Sequence, residues 1–273
     1  MPLPPARSVS GTAHRSGAAM PLRRALPEEV PVAMVYDGST QAVMMATPGD
    51  IADFAVGFSL SEGIVTDLAQ IRDFEQVTHD AGIEARLWLA ADRGAQLAAR
   101  RRFMAGPVGC GLCGIDSLDQ ALRPLPRIDR PGPRFARATV ARAGDTLRAG
   151  QMLYDQTRAT HAAGFLRPDG EMLLLREDVG RHNALDKLIG AMARQGLDPG
   201  TGAFVLSSRL SVELVQKSAL AGCPMLIAVS APTAHAQRLA EGAGITLVAF
   251  ARGEGFDIYS HAHRITSEIP DVA

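Results

Sequence analysis

The sequence between positions 203 and 250 contains three short apolar segments: Ala203-Phe204-Val205-Leu206, Met225-Leu226-Ile227-Ala228-Val229 and Ile245-Thr246-Leu247-Val248-Ala249-Phe250. Runs of this length are typical of buried strands. The stretches 211–221 and 232–243 lie between them and carry apolar residues at helical spacing, which predicts two helices. Strands that alternate with helices in this way predict a parallel sheet covered by helices.

On the N-terminal side of this core, the sequence predicts three hairpins and further helices. Hairpins are predicted where two apolar runs flank a turn sequence such as Asp37-Gly38, and they cover 30–46, 74–89 and 159–175. Helices are predicted over 91–103, 147–156 and 183–194. Another helix is predicted to begin at a Thr47 cap, with Pro48 in its first turn, and to end at Gly63.

These elements predict an α/β protein with two domains. Residues 1–22 are rich in Pro, Ala, Gly, Ser and Arg without periodicity, which predicts a disordered tail. Residues 23–105 are expected to form a smaller N-terminal α+β domain, and 135–273 a C-terminal α/β domain that binds a cofactor. The stretch 106–134 between them holds a glycine-rich CxxC loop and a linker rich in Pro and Arg.

The composition excludes several classes of protein. A net charge of -1 gives no indication of nucleic-acid or membrane-surface binding. Three cysteines do not make a secreted disulfide framework, and the N-terminal stretch lacks the apolar core of an export signal. No apolar run approaches the roughly 18 to 20 residues of a membrane span. We therefore expect a soluble, cytoplasmic protein.

The thiol chemistry is concentrated in Gly106-Pro107-Val108-Gly109-Cys110-Gly111-Leu112-Cys113-Gly114. A structural zinc site needs four Cys or His ligands in paired spacings, and the only other cysteine is the distant Cys223, so a four-cysteine site is excluded. No metal site is therefore predicted. A dithiol redox couple and a nucleophilic cysteine that carries a group both remain open. The glycines predict an adaptable loop.

Polar residues follow each of the three predicted core strands. Ser207-Ser208-Arg209 follows the first, Ser230-Ala231-Pro232-Thr233 the second, and Ala251-Arg252-Gly253-Glu254-Gly255 the third. In an open α/β sheet the ligand binds beyond the carboxyl ends of the strands. Helix N-termini, glycines and a forked guanidinium all favour phosphate. These loops together predict a phosphate site, although none of them is a Walker A or dinucleotide motif.

A fourth polar cluster, Arg176-Glu177-Asp178-Val179-Gly180-Arg181-His182-Asn183, precedes the helix over 183–194. Helix capping explains part of it, and a binding site that includes His182 is the alternative we favour. His161 lies inside an apolar strand pattern, where a core histidine and a site residue are both open. Glu62 is interpreted as a solvated or locally bonded carboxylate.

Taken together, the blocks resemble the formate dehydrogenase accessory sulfurtransferase family, FdhD. The resemblance spans roughly Val30 to Tyr259, and the long block around His182 is its most specific part. The matching blocks are Ala46-Thr47-Pro48, Gly57-Phe58, Ser61-Glu62-Gly63, Cys110-Gly111-Leu112-Cys113-Gly114, Thr160-His161-Ala162-Ala163, Glu177 to Lys187, Ser207-Ser208-Arg209, Ser230-Ala231-Pro232-Thr233 and Phe250-Ala251-Arg252.

The resemblance implies a cytoplasmic protein that takes persulfide sulfur from a cysteine desulfurase. The sulfur would pass to the molybdenum of a bis(molybdopterin guanine dinucleotide) cofactor, a bound acceptor and not a permanent group, before formate dehydrogenase receives it. The resemblance also implies a homodimer, a C-terminal three-layer core like that of cytidine deaminases, and a guanine-dinucleotide pocket that includes Phe250 to Gly255. For the sulfur we expect Cys110 to be the carrier and Cys113 to assist, because the first thiol of such a pair is usually the more acidic.

Two other functions are open at this point. A zinc-dependent deaminase would carry His-x-Glu before Pro-Cys-x-x-Cys, whereas Gly109 precedes Cys110 and the sequence has no His-x-Glu. A chaperone that binds and shields the cofactor without carrying sulfur has the same pocket. The sequence alone does not distinguish such a chaperone from a relay.

Overall fold

The fold is given by a computed structural model, which describes residues 3–94 and 124–266. The strands are β1 (Ala6–Arg15), β2 (Ala18–Pro27), β3 (Val30–Tyr36), β4 (Ser39–Ala46), β5 (Ile71–His79), β6 (Gly82–Leu89), β7 (Phe135–Ala136), β8 (His161–Leu166), β9 (Met172–Asp178), β10 (Ala203–Leu206), β11 (Met225–Ala228), β12 (Thr246–Arg252), β13 (Gly255–Ser260) and β14 (Ile265–Thr266). The helices are α1 (Ile51–Ser61), α2 (Arg137–Ala149), α3 (Met152–Thr157), α4 (Arg181–Arg194), α5 (Val212–Leu220) and α6 (Ala234–Ala243).

A six-stranded sheet in the order β13-β12-β11-β10-β8-β9 forms the centre of the C-terminal half. The three predicted core strands are its neighbours β10, β11 and β12, and they are parallel. The sheet as a whole is mixed, because β8 is antiparallel to β10 and β13 is antiparallel to β12. The prediction of a parallel sheet is therefore correct only for these three strands.

Helices cover both faces of this sheet. On one face α4, α5 and α6 pack their apolar residues against Phe165, Phe204 and Leu226, among others. On the other face α2 packs Val140, Ala143 and Leu147 against residues such as Val205. The predicted helix over 147–156 is wrong in its bounds, since α2 ends at Ala149 and α3 begins at Met152.

The N-terminal half is a four-stranded sheet in the order β4-β3-β6-β5 with α1 packed on one face. Both predicted hairpins are present, and β3 pairs with β6 in parallel between them. Alternate residues of β3 and β6, such as Met34 and Leu87, are buried against Phe54 of α1. The other face of α1 packs on α4, and this contact joins the two halves.

The prediction of a disordered tail is wrong for the residues that the structure describes. Strands β1 and β2 pair along their whole length, from Ala6 opposite Pro27 to Arg15 opposite Ala18. Ser16 and Gly17 both have positive φ at the turn, as a tight hairpin requires. Most side chains of the hairpin are exposed. Backbone pairing orders this segment, and an apolar pattern could not have indicated it.

The part of the predicted linker that the structure describes, residues 124–134, is irregular, with Ile128 as its buried anchor. The Ile128 side chain belongs to the core beneath α5 and α6, and its N–H donates to the Ala243 carbonyl over 2.9 Å. Arg130 forms an ion pair with Asp198 at 3.1 Å. Among the described residues, no helix has the length and apolar character needed to cross a lipid bilayer.

Candidate functional site

The predicted strand-end loops lie together at one edge of the six-stranded sheet. The Leu210 N–H donates to the Ala231 carbonyl over 3.1 Å, and the Thr233 N–H donates to the Leu210 carbonyl over 3.0 Å. These bonds connect the loop after β10 to the loop after β11. Thr233 also caps α6 by accepting the Ala236 N–H. The Ser207, Ser208 and Arg209 segment therefore has a fixed position beside a helix start.

His161 lies at the same edge, because β8 is antiparallel to β10 and begins where β10 ends. Ser207 Oγ accepts the Ala162 N–H over 2.8 Å and lies 3.4 Å from His161 Nδ1. Burial lowers the pKa of the half-buried His161, and the charge of Arg181 lowers it further. The structure favours a site residue over a core histidine.

β9 runs in the same direction as β10, so its carboxyl end brings the cluster 176–183 to this edge. The two acidic residues of this cluster accept hydrogen bonds from backbone N–H groups of the protein. Asp178 is fully buried and accepts the N–H groups of Thr47 and Gly180. Glu177 accepts the Leu153 and Tyr154 N–H groups at the start of α3. Arg181 and His182 are the residues of the cluster left for a ligand.

The structure also corrects the predicted role of Thr47. The residue before α1 is Asp50, which makes no side-chain cap. Thr47 Oγ1 instead accepts the Val179 N–H over 3.1 Å, and the Thr47 carbonyl accepts Lys187 Nζ over 2.9 Å. Thr47 thus connects the two halves of the chain next to Asp178.

His182 opens α4 together with Arg181 and faces α5. Its Nε2 lies 3.4 Å from Ser211 Oγ and 3.8 Å from a carboxylate oxygen of Glu213. Burial lowers the pKa of His182 to about 4, and the neighbouring charge of Arg181 adds to this effect. His182 is therefore a neutral imidazole at pH 7. It can donate one hydrogen bond and accept another without carrying charge.

A buried ionic cluster that the sequence analysis missed lies behind His182. Lys217 Nζ is 2.7 Å from a Glu62 oxygen and 3.0 Å from an Asp186 oxygen, and Ser61 Oγ donates to Asp186 over 2.6 Å. Burial raises the pKa of Asp186 to about 6 despite the Lys217 charge. The one indication in the sequence was Lys217 on the apolar face of a predicted helix. Glu62 was expected to be solvated or locally bonded, whereas its partner Lys217 lies 155 positions away in the chain.

The segment Phe250-Ala251-Arg252-Gly253-Glu254-Gly255, which contains the third predicted loop, forms the end of β12 and a hairpin turn. β12 continues to Arg252 and β13 begins at Gly255, with Gly253 at φ 64 in the turn. Arg252 is exposed. Because β11 lies between β10 and β12, the strands that lead to Ser207 and to the Arg252 hairpin are two strand spacings apart, roughly 10 Å, at the same edge.

A surface cavity of about 620 Å³ lies beside this hairpin, on β13. Its apolar wall includes Phe256, Ile258 and Tyr259, and the guanidinium of Arg137 lies 5.9 Å from the Phe256 ring centre. The cavity does not include the strand-end loops. It lies next to the predicted pocket but does not coincide with it.

Cys110 and Cys113 lie outside the described residues, and so does the predicted helix beyond residue 94. Cys223 lies in the core, with no exposed surface, and its Sγ contacts the Met225 carbonyl at 3.3 Å. Burial raises the pKa of its thiol to about 12. Within residues 3–94 and 124–266, no cluster of three or more His, Cys, Asp or Glu residues could hold a metal ion.

Comparison with known proteins connects this geometry to a family. The sequence profile of the FdhD/NarQ family matches residues 27–266. Two relatives named sulfur carrier protein FdhD each align over 259 residues, which is 95% of this chain and 96% of theirs. The relative from Agrobacterium fabrum is 51% identical and that from Brucella abortus is 54% identical.

A crystal structure from Desulfotalea psychrophila, assigned as a formate dehydrogenase accessory protein, has the same fold. It superposes with a TM-score of 0.76 over 96% of this chain and 100% of its own. At 23% identity, this likeness is informative about the fold alone.

Proposed function

This chain belongs to the FdhD/NarQ family, and from that premise we propose that it is a sulfur carrier that serves the assembly of formate dehydrogenase. The sulfur comes as a persulfide from a cysteine desulfurase. It passes through the CxxC pair to the molybdenum of a bis(molybdopterin guanine dinucleotide) cofactor, which is the substrate. Formate dehydrogenase then receives the sulfurated cofactor.

The observation that carries this proposal is the state of the third thiol. Cys223 has no exposed surface and a pKa of about 12, so it is neither reachable nor ionised at pH 7. The chain has three cysteines, and a sulfur that travels on a thiol must therefore use Cys110 or Cys113. This elimination supports the CxxC pair as the carrier.

Loading is a thiol exchange at sulfur. The Cys110 thiolate attacks the outer sulfur of the donor persulfide, the S–S bond of the donor breaks, and the donor cysteine leaves as a thiolate. The new persulfide on Cys110 retains the transferred sulfur atom. Cys113 assists by a hydrogen bond to the persulfide or by accepting the sulfur in turn.

The acceptor is proposed to bind at the edge of the six-stranded sheet. Ser207, Ser208 and Arg209 supply hydroxyl, backbone and guanidinium donors, and His182 lies at the same edge. The hairpin from Phe250 to Gly255 supplies Arg252 and the open backbone of Gly253. Phosphate groups of a guanine dinucleotide suit these donors.

The domain organisation belongs to the same proposal. The N-terminal unit corresponds to 23–105 and the C-terminal unit to 135–273, with the thiol loop and linker between them. The mixed six-stranded sheet with helices on both faces supports a deaminase-like three-layer core. A cytoplasmic homodimer is proposed from the family resemblance.

Transfer of labelled sulfur tests the proposal against a chaperone without a sulfur step. The protein is incubated with a cysteine desulfurase and [35S]cysteine, then separated without reductant. We expect label on the protein that dithiothreitol removes. A protein that binds the cofactor but never acquires label would be a chaperone.

Calorimetry with GDP tests the pocket. Arg252→Ala is expected to weaken GDP binding by about tenfold or more, since a charged hydrogen bond contributes about 1.5–3 kcal/mol. The control is Arg142→Ala, an exposed arginine on α2. Equal GDP affinity in the two variants would remove Arg252 from the pocket.

A further inference from the structure

Arg181 has a buried donor with no acceptor. It is the first residue of α4, and its side-chain Nε is buried without a hydrogen-bond partner among the residues that the structure describes. A buried donor left unpaired destabilises the folded state, and more strongly when the group is charged. Such a donor in a folded protein calls for an explanation, and an anion that accepts from it supplies one.

Other buried cations of the same region are paired. Lys187 faces Asp178 at 2.7 Å, Lys217 faces Asp186 at 3.0 Å, and Arg176 faces Asp53 at 2.8 Å. Each of these three cations therefore has a carboxylate partner. Burial, and after it the charge of Arg181, lowers the pKa of the His161 and His182 imidazoles, and the same charge acts on the Glu213 carboxylate.

The Ser207 hydroxyl sets the orientation of the neighbouring His161 ring. Ser207 Oγ accepts the Ala162 N–H, so its own hydrogen is free to donate to His161 Nδ1, 3.4 Å away. That bond leaves the His161 proton on Nε2, where it is available to a ligand. The first turn of α4 adds free N–H groups and the positive end of the helix dipole.

We propose that Arg181, together with His161 and the start of α4, binds a phosphate or pyrophosphate group. A guanidinium fork matches the oxygens of a phosphate and can form two parallel hydrogen bonds to it. Arg181 follows the carboxyl end of β9, at the same edge as Ser207, and β8 with its His161 lies between the two. It is therefore separate from the Arg252 hairpin. The inference rests on the proposed function only for the identity of the ligand that carries the phosphate.

Titration with inorganic pyrophosphate tests this site directly. Calorimetry on the full chain compares the wild type with Arg181→Gln and with the control Arg142→Gln. We expect Arg181→Gln to bind pyrophosphate about tenfold to 150-fold more weakly, which corresponds to the loss of a charged hydrogen bond, and Arg142→Gln to match the wild type. Equal affinity in Arg181→Gln and the wild type would overturn the proposal.

A second measurement on the wild type avoids any effect of the substitution on folding. Histidine ring signals are followed by NMR as pyrophosphate is added. We expect the His161 and His182 signals to shift and those of the exposed His235 to stay unchanged. Saturable binding without a shift of the first two rings would place the anion elsewhere and overturn the proposal.

The test is independent of the sulfur relay. Loading of the wild type from a desulfurase reports on the CxxC pair and needs no phosphate. A wild type that fails to load but binds pyrophosphate through Arg181 would refute the proposed function and retain this site. A wild type that loads sulfur while its pyrophosphate affinity does not depend on Arg181 would refute only the inference.

Discussion

Gly57 of α1 and Gly190 of α4 pack against each other's backbone, and neither position has room for a side chain. A Cβ atom on Gly57 would overlap the carbonyl oxygen of Asp186, and one on Gly190 would overlap the carbonyl oxygen of Asp53. The two helices therefore touch at their main chains. This contact joins the N-terminal sheet to the C-terminal domain and positions Ser61 and Glu62 beside Lys217.

Substitution of either glycine is expected to destabilise the protein strongly. Gly57→Ala or Gly190→Ala forces the helices apart, and overpacking costs typically about 1–3 kcal/mol and more where backbone must move. The control is Gly242→Ala in α6. A Cβ atom at this position would extend into open space, so the substitution should raise the free energy of unfolding by up to about 1 kcal/mol. Urea unfolding measures all three. A neutral Gly57→Ala would show that the helices are not in backbone contact.

Removal of the Lys187 charge should also lower the free energy of unfolding strongly, because it breaks a buried ion pair. Lys187 and Asp178 are both fully buried, so Lys187→Met leaves an uncompensated carboxylate, which costs about 3–5 kcal/mol. The matched control is Arg148→Met, whose partner Asp155 is about half exposed, so that water screens the pair and its loss should destabilise the protein much less. Thermal unfolding of the pair checks the difference. Similar losses in the two variants would contradict it.

His182 gives stability a defined pH dependence. Its pKa is about 4 in the folded protein and about 6.5 in an unfolded chain, so the unfolded state binds more protons between these values. Its contribution to stability therefore falls as pH decreases from about 6.5 to 4. Asp186, with its raised pKa, acts in the opposite direction over about pH 4–6.

A comparison of His182→Gln with the wild type isolates the pH dependence that comes from the histidine, because Asp186 is present in both proteins. His182→Gln is expected to gain stability relative to the wild type as pH is lowered from 6.5 to 4. Substitution of the exposed His235 by Gln is the control. Melting temperatures over this pH range measure the effect, and a difference that is independent of pH would contradict the low pKa of His182.

The sequence predicted the elements with strong local patterns. The core strands, both N-terminal hairpins and the helix over 183–194 are observed because each buries an apolar face with the expected period. The helix α2 was missed over most of its length. Gly144 in its middle resembles a helix breaker, yet it is needed because a side chain there would overlap the Ala251 carbonyl on β12.

The parts of the site that were not predicted depend on contacts between distant residues. Thr47 fits a helix cap locally, but it bonds Asp178 and Val179, which lie about 130 positions away. Similarly, the placement of Arg181 at the site depends on two facts that the sequence does not show. β9 runs parallel to β10, and the Asp178 carboxylate is paired with Lys187. The types of these residues were visible in the sequence, and their partners were not.

Cys223 should be dispensable for sulfur transfer. Its thiol is buried and has a pKa of about 12, so Cys223→Ala is expected to load sulfur as the wild type does. In the native wild type, a thiol reagent should modify Cys223 only after denaturation. Loss of loading in a folded Cys223→Ala variant would contradict the assignment of the carrier to the CxxC pair.

The location of the transferred sulfur tests the central claim most directly. Single variants Cys110→Ala and Cys113→Ala are incubated with a cysteine desulfurase and cysteine, digested without reductant and mapped by mass spectrometry. The account predicts one added sulfur on Cys110 in the Cys113→Ala variant and no loading of Cys110→Ala. Sulfur on Cys113 in a Cys110→Ala variant that loads normally would contradict it.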